Sequence, residues 1–416
     1  MPKGEPSSEP LVINWRLYPK YTGYMPHEPL ERYAPGGFHP VSLGDTLQDG
    51  RYTIRLKLGY GGQSTVWLVW DAYHELETGA WVAIKIKSAR ASEKGLDADT
   101  EIGVLRKLEQ YYLSQTQTQT RPFIQLFDTF QHTGPNGVHT CIVTEVLGPT
   151  LANILQDYPP EEDTLPPSVI LRVSQQLLHG LEFAHAAGIA HGDVYPGNIS
   201  FTWKTALADA DNDLIEMMGG EPMTVPYESD AERPHSLPQQ LIACTMFDDW
   251  YFDPSEDIRL IDWGWSFPVD ETVTVLGQPS NLRPPETFFV HTFTYKQNLW
   301  RAGSVIYTLF YQKSPFSFFA DPDHFFIRRL VAKLGPLPAP WHKKWEDMLV
   351  DYKYVNEDVM PQKLIQDTFE PRWQQIVANI LKSDKDGDEY HNEKADKNND
   401  EDGRDYSDKG ITDERH

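Results

Sequence analysis

Ile189-Ala190-His191-Gly192-Asp193-Val194-Tyr195-Pro196-Gly197-Asn198-Ile199-Ser200-Phe201 decides how the rest of the chain is read. An Asp and an Asn stand five positions apart, with Pro196 and Gly197 between them. Those two residues rule out a regular helix, so the stretch reads as a short loop running into a β-segment, and both polar side chains can converge on one point. A carboxylate placed as a base, beside an amide oxygen able to meet a hard cation, is the pair that phosphate transfer from a nucleotide requires. Alone, the stretch is equally a polar turn, and the decision falls to what surrounds it.

Upstream, residues 52–58 alternate like a strand, break at Gly59-Tyr60-Gly61-Gly62-Gln63-Ser64 and resume as a strand over 65–70. Strand, glycine loop and strand make a hairpin that can close over a ligand, its backbone N–H groups free to approach phosphate oxygens. The blander reading is an ordinary hairpin turn. A third strand, 81–87, places Lys85 in an apolar run. A Lys snorkelling from an edge strand is common; the functional alternative is a Lys that reaches nucleotide phosphates and pairs with a helical Glu. A helix is predicted over 98–110 from Ile102, Leu105 and Leu108, with Glu101 early in it. Strands over 123–130 and 138–146 lead to Gly148, and the periodic run 168–187 forms a helix that delivers the chain to the opening loop. Order resumes at 258–264, where Asp262 ends an apolar strand two residues before Gly264. Such an Asp is often a turn residue; in this company it is a second carboxylate for Mg2+. A long apolar helix follows over 295–311, and helices continue to Leu381.

The 416 residues suffice for about two domain-sized cores. Two cysteines, Cys141 and Cys244, exclude a disulfide framework and point to a reducing compartment. No apolar run reaches membrane length and the first residues hold no signal-peptide core, so a soluble protein of cytoplasm or nucleus is expected. The net charge of −24 is uneven: residues 205–257 carry −12 and 383–416 carry −7, leaving −5 for everything else. The acidity belongs to two appendages, and a nucleic-acid partner, which needs a basic footprint, is disfavoured. Residues 1–30 read as an irregular arm, 205–257 as a mobile Pro-containing insertion outside the core, and 383–416 as a disordered tail.

Taken in order, the glycine loop, Val82-Ala83-Ile84-Lys85, Glu101, the loop with Asp193 and Asn198, Asp262-x-Gly264 and Pro285-Glu286 resemble the protein kinase superfamily. More narrowly, residues 33–45 (YAPGGFHPVSLGD), 58–67 (LGYGGQSTVW) and 145–148 (EVLG) resemble the SR-protein kinases and their fungal relatives. The resemblance covers roughly residues 30–382. It implies an α+β, bilobal protein-kinase-like fold: an antiparallel β-sheet N-lobe over 31–147 and a mainly helical C-lobe over 148–382 that carries the insertion. It implies a serine/threonine protein kinase that uses ATP and Mg2+ on a protein substrate, Arg/Ser-rich proteins being one candidate class, and that works as a monomer without membrane or nucleic acid. Leu58, Gly59, Tyr60, Gly61, Gly62, Gln63, Ser64 and Val66 would then cover the nucleotide, with adenine between Val66 and Ala83. The Glu145 carbonyl and Leu147 N–H would meet the adenine edge, and Lys85, held by Glu101, the α- and β-phosphates. Asp193 would take the substrate hydroxyl's proton while Asn198 and Asp262 hold Mg2+.

Three positions depart from that pattern. Gly192 stands in place of the catalytic-loop Arg, Tyr195 in place of a Lys that contacts the transferred phosphate, and Asn298 in place of a helical Asp that braces the loop. No Arg after Leu381 is evident to pair with Glu286. Two other readings therefore stand beside the first: a nucleotide-binding pseudokinase scaffold, and a small-molecule phosphotransferase of the aminoglycoside or choline kinase type, which His-Gly-Asp-x-x-x-x-Asn also resembles. Residues 63–67 and Pro285-Glu286 favour the protein-kinase branch.

Overall fold

The structure is a computed structural model that describes residue 18 and residues 25–73, 80–115, 120–157, 165–204, 214–228, 233–247, 256–277, 282–316 and 323–351. Six antiparallel strands form the first layer: β1 (Thr46–Leu47), β2 (Tyr52–Tyr60), β3 (Ser64–Asp71), β4 (Ala80–Lys87), β5 (Leu126–Gly134) and β6 (Gly137–Thr144), in the order β1-β2-β3-β4-β6-β5. Alternation sets the register. Tyr52 and Ile54 of β2, Trp67 and Val69 of β3, and Val82, Ile84 and Ile86 of β4 turn to one face and form a single apolar cluster with Cys141 and Val143 of β6. Residues between them on the same strands, such as Lys85, face the other way.

The helix α1 (Thr100–Ser114) begins where Asp99 accepts the Ile102 N–H at 3.2 Å, a side-chain N-cap. Ile102, Leu105 and Leu108 make its buried stripe as the periodicity requires. After the short α2 (Leu151–Asp157), the twenty-residue α3 (Pro167–Ala186) buries Val169, Ile170, Val173, Leu177, Leu181 and Ala184 in a second, larger core. Short pairs then hold the chain on either side of residues 191–198. β7 (Ile189–Ala190) pairs with β12 (Phe267–Pro268), and β8 (Ile199–Phe201) with β11 (Ile258–Leu260). α4 (Leu214–Met217), β9 (Thr224–Pro226) and β10 (Gln240–Ile242) lie between them in sequence, and α5 (Glu286–Phe289) and α6 (Lys296–Tyr311) follow. The expected α+β architecture is found, the antiparallel sheet preceding the helices.

The insertion corrects one expectation. Residues 205–257 are predicted to stay outside the core, yet the described part packs against the sheet. Leu214, Ile215, Met218 and Phe247 cluster with Leu56 of β2, Leu68 of β3 and Val146. Val225, Leu237, Leu241 and Ala243 cluster with Tyr18, Met25, Leu30, Tyr33 and Phe38 of the lead-in. The return leg runs beside β2, where the Thr245 N–H donates to the Lys57 carbonyl at 2.9 Å. A buried ion pair joins all three segments: Lys57 Nζ donates to both carboxylate oxygens of Glu28 at 2.8 and 2.7 Å and to the Ile242 carbonyl at 2.9 Å.

Compactness divides the chain into one unit of Met1–Leu165 with Val169–Phe319, and a second of Pro166–Ser168 with Ala320–His416. The second contributes α7 (Asp323–Leu334), whose buried stripe is Phe326, Ile327 and Leu330, and α8 (His342–Asp351). Among the described residues no helix is long and apolar enough to cross a membrane. The acidic tail 383–416 lies outside the described residues.

Candidate active site

Lys85 points from β4 toward α1, where its ammonium meets both oxygens of Glu101 at 2.7 and 2.9 Å. The same ammonium donates to Asp262 Oδ1 at 2.8 Å, so the three predicted charges meet at one point. Burial works against the ammonium, but the Asp262 and Glu101 carboxylates outweigh it and hold Lys85 above the usual lysine range. Burial raises Glu101, with Lys85 opposing, whereas the Lys85 charge holds Asp262 below the usual carboxylate range. A second Lys, two residues on, reinforces the arrangement: Lys87 Nζ donates to the N-cap carboxylate of Asp99 at 2.6 Å and lies 3.8 Å from Glu101.

The loop 191–198 is built from neutral contacts beneath and one ion pair. His191 is buried, which pushes its pKa down to about 4. Its Nδ1 accepts the Asp193 N–H at 3.2 Å, which assigns the proton to Nε2, 3.0 Å from the Ile261 carbonyl. Asn198 donates through Nδ2 to the Asp193 carbonyl at 2.9 Å and to Asp193 Oδ2 at 3.2 Å. Asn298 braces the loop as the missing Asp would: its Oδ1 accepts the Gly192 N–H at 3.1 Å. Burial pushes the Asp193 carboxyl up, against the lowering effect of Arg301.

Lys85, Glu101, Asn198 and Asp262 border a cleft of about 250 Å³, whereas Asp193, with Gly277 lying on its carboxylate, is not among the residues that line it. Leu58, Gly59, Tyr60, Gly61, Ser64, Val66, Ala83, Glu145 and Leu147 line it together with Lys85, Glu101, Asn198 and Asp262. Gly62 and Gln63 do not: they stand exposed at the hairpin tip, where the Gln63 carbonyl accepts the Ser88 N–H at 2.7 Å. Among the described residues the Glu145 carbonyl and Leu147 N–H carry no hydrogen bond, which leaves an acceptor and a donor on the linker. Tyr195 also lines the cleft, and burial pushes its phenol up to about 12, so it is a neutral donor at ordinary pH.

Two residues at this site carry no sequence signal of the usual kind. Phe247, from the insertion, lines the cleft with a left-handed backbone (φ 57°), which a bulky residue rarely adopts. Arg301 on α6 reaches Asp193 Oδ1 at 3.1 Å from a fully buried position. A charged residue inside an apolar helical run was the one visible hint of the second.

Residues 52–218 match the protein kinase domain family. Protein kinase dsk1 of Schizosaccharomyces pombe is 35% identical over 173 residues, 41% of this chain and 30% of that protein. Serine/threonine-protein kinase SKY1 of Saccharomyces cerevisiae is 36% identical over 175 residues, 41% of this chain and 22% of its own length. SRSF protein kinase 3 of Homo sapiens is 39% identical over 172 residues, 40% of this chain and 28% of its own length. The match thus spans less than a third of each of these relatives. A crystal structure of a kinase domain superposes with a TM-score of 0.50 at 18% identity, over 76% of this chain and 80% of that one, a likeness of fold. The family match ends before Asp262, whose place in the site comes from its contact with Lys85. Sheet, cleft and loop agree with these likenesses: over residues 52–218 the chain is similar to protein kinase domains, and the relatives named share that stretch with it.

Proposed function

We propose that this chain transfers the γ-phosphate of Mg·ATP to a Ser or Thr hydroxyl of a protein, with Arg/Ser-rich substrates as the class to try first. The observation that carries the reading is the convergence of Lys85, Glu101, Asp262 and Asn198 at one cleft, with Asp193 tied to it through its hydrogen bond from Asn198. The donor set suits Mg2+. Asn198 uses its amide nitrogen on Asp193, which leaves the oxygen for a cation, and Asp262 gives only Oδ1 to Lys85. One carboxylate and one amide oxygen, completed by phosphates and water, is how Mg2+ is commonly held. Bound there, the metal would offset the charge of the transferring phosphoryl group. The linker's free Glu145 carbonyl and Leu147 N–H would receive the adenine edge, Lys85 would hold the inner phosphates, and Asp193 would accept the proton of the attacking hydroxyl.

The test is transfer of radiolabelled phosphate to an Arg/Ser-rich peptide, a basic protein and small aminoalcohols, beside an Asp193→Asn control. Peptide labelling that the control lacks is expected. Labelling confined to aminoalcohols would move the reading to the small-molecule phosphotransferases. A rise in melting temperature with Mg·ATP but no transfer to any acceptor would favour the scaffold reading, which the neutral Tyr195 supports.

A further inference from the structure

Gly192 occupies the left-handed region (φ +81°), and a Cβ placed on it would come 1.9 Å from the Trp265 carbonyl oxygen. No side chain fits there, so this loop cannot supply a cation from position 192 itself. The cation arrives from below. Asn298 and Arg301 are spaced three apart on α6 and share one helix face. Asn298 Oδ1 accepts the Gly192 N–H at 3.1 Å, and Arg301 Nη1 donates to the Gly192 carbonyl at 3.2 Å. Gly192, directly ahead of Asp193, is thereby held through the peptide units on both of its sides.

The same guanidinium reaches further. Nη1 donates to Asp193 Oδ1 at 3.1 Å, and Nη2 donates to the Gly277 carbonyl. Gly277 lies directly on the carboxylate, since a Cβ there would come 2.7 Å from Asp193 Cγ. We infer that Arg301 is a positioning residue for the transfer reaction, fixing the Asp193 carboxylate and the Gly277 segment against each other so that Oδ2 is the oxygen offered to the substrate hydroxyl. The inference rests on the kinase reading above and adds to it a residue that acts through the base. Arg suits the task because its planar fork serves three acceptors in fixed directions, where a Lys is a single flexible charge. A packing role alone would not require a guanidinium at a site with 0% exposure, because an apolar side chain fills such a space without needing a counter-charge.

The experiment is steady-state phosphorylation of an Arg/Ser-rich peptide and of a basic protein by the full chain, comparing Arg301→Gln, Arg301→Lys and unmodified protein, with the Mg·ATP melting shift measured for each. Misplacing a reacting group by about 1 Å costs on the order of 10²-fold. Arg301→Gln should therefore lower kcat by about that factor, with KM for ATP and the melting shift within about twofold of unmodified protein. Arg301→Lys should recover part of kcat by restoring the charge without the fork. If Arg301→Gln fails to fold, Arg301→Lys decides: a lowered kcat with an intact melting shift supports the inference, and an unchanged kcat overturns it. Equal loss of kcat and of nucleotide binding would also overturn it, as the mark of a merely structural role. Absence of transfer by the unmodified protein would instead overturn the proposed function, and this inference with it.

Discussion

Tyr195 presents a neutral hydroxyl, its pKa raised to about 12 by burial, to a cleft where negative charge would be transferred. A hydroxyl can donate one hydrogen bond, whereas an ammonium would add a charge that counts most in the transition state. Tyr195→Lys is therefore expected to raise kcat on a protein substrate and leave KM for ATP nearly unchanged, read by steady-state kinetics. A second expectation concerns the buried Arg301–Asp193 pair. Removing one partner of a buried ion pair costs about 3–5 kcal/mol, so Asp193→Ala and Asp193→Asn, which both leave the guanidinium without a counter-charge, should each lower the denaturant midpoint, Asp193→Asn less because it keeps an acceptor oxygen. Midpoints of both variants equal to that of the unmodified protein would show that Asp193 does not balance Arg301. Lys85, Asp193, Asn198 and Asp262 were legible in the sequence because each sits in a short local pattern whose spacing is its signature. Arg301 was not, because its partner lies 108 residues away and only the packing of α6 under the loop brings them together.

Elements with a strong period were readable and those without one were not. α1, α3 and α6 begin and end within a few residues of expectation, since a buried stripe at helical spacing can be recognised without knowing what covers it. α4, β9 and β10 are three or four residues long, too short to carry a period, and they sit among acids and prolines that usually mark an unfolded segment. Their apolar residues count only once the sheet is there to receive them. The β5–β6 hairpin shows a further contact invisible in sequence: His132 and His139 face each other across the strands, and His39 of the lead-in packs its ring 4.5 and 5.2 Å from theirs. Burial lowers the pKa of all three, that of His39 to about 3. An unfolded histidine titrates near 6.5, so the unfolded chain binds protons first as pH falls. The stability held by neutral His39 is complete above about pH 6.5 and declines toward pH 3. Thermal unfolding between pH 7 and 4 should show a falling melting temperature, and His39→Gln should flatten the slope. A slope unchanged by that substitution would assign the acid sensitivity to other groups.

Across the large unit, lead-in, sheet and insertion are fastened by charges that water does not reach. Lys57 and Glu28 are 1% and 2% exposed, and Lys57 also lies 4.9 Å from the Trp67 ring centroid. Truncating either partner alone leaves an uncompensated buried charge, at a cost of about 3–5 kcal/mol, whereas an apolar pair of similar volume can be neutral or better. Glu28→Ala should therefore lower the denaturant midpoint strongly, and Glu28→Leu with Lys57→Met should recover much of the loss. Limited proteolysis should report the same linkage, with residues 233–247 resistant in the unmodified protein and cut early in Glu28→Ala. Early cleavage there in both would mean that the pair does not hold the insertion down. The order of an antiparallel sheet followed by helices was legible because motif order fixes it, whereas this fastening was not, because Glu28, Lys57 and Ile242 share no pattern. The insertion also leaves its mark on the cleft through Phe247. For a medicinal chemist this wall is a selectivity handle: a compound that fills the cleft and also stacks on Phe247 would read a residue that takes no part in the hydrogen bonds of the Lys85–Glu101–Asp262 cluster, and resistance to such a compound would arise there without touching that cluster.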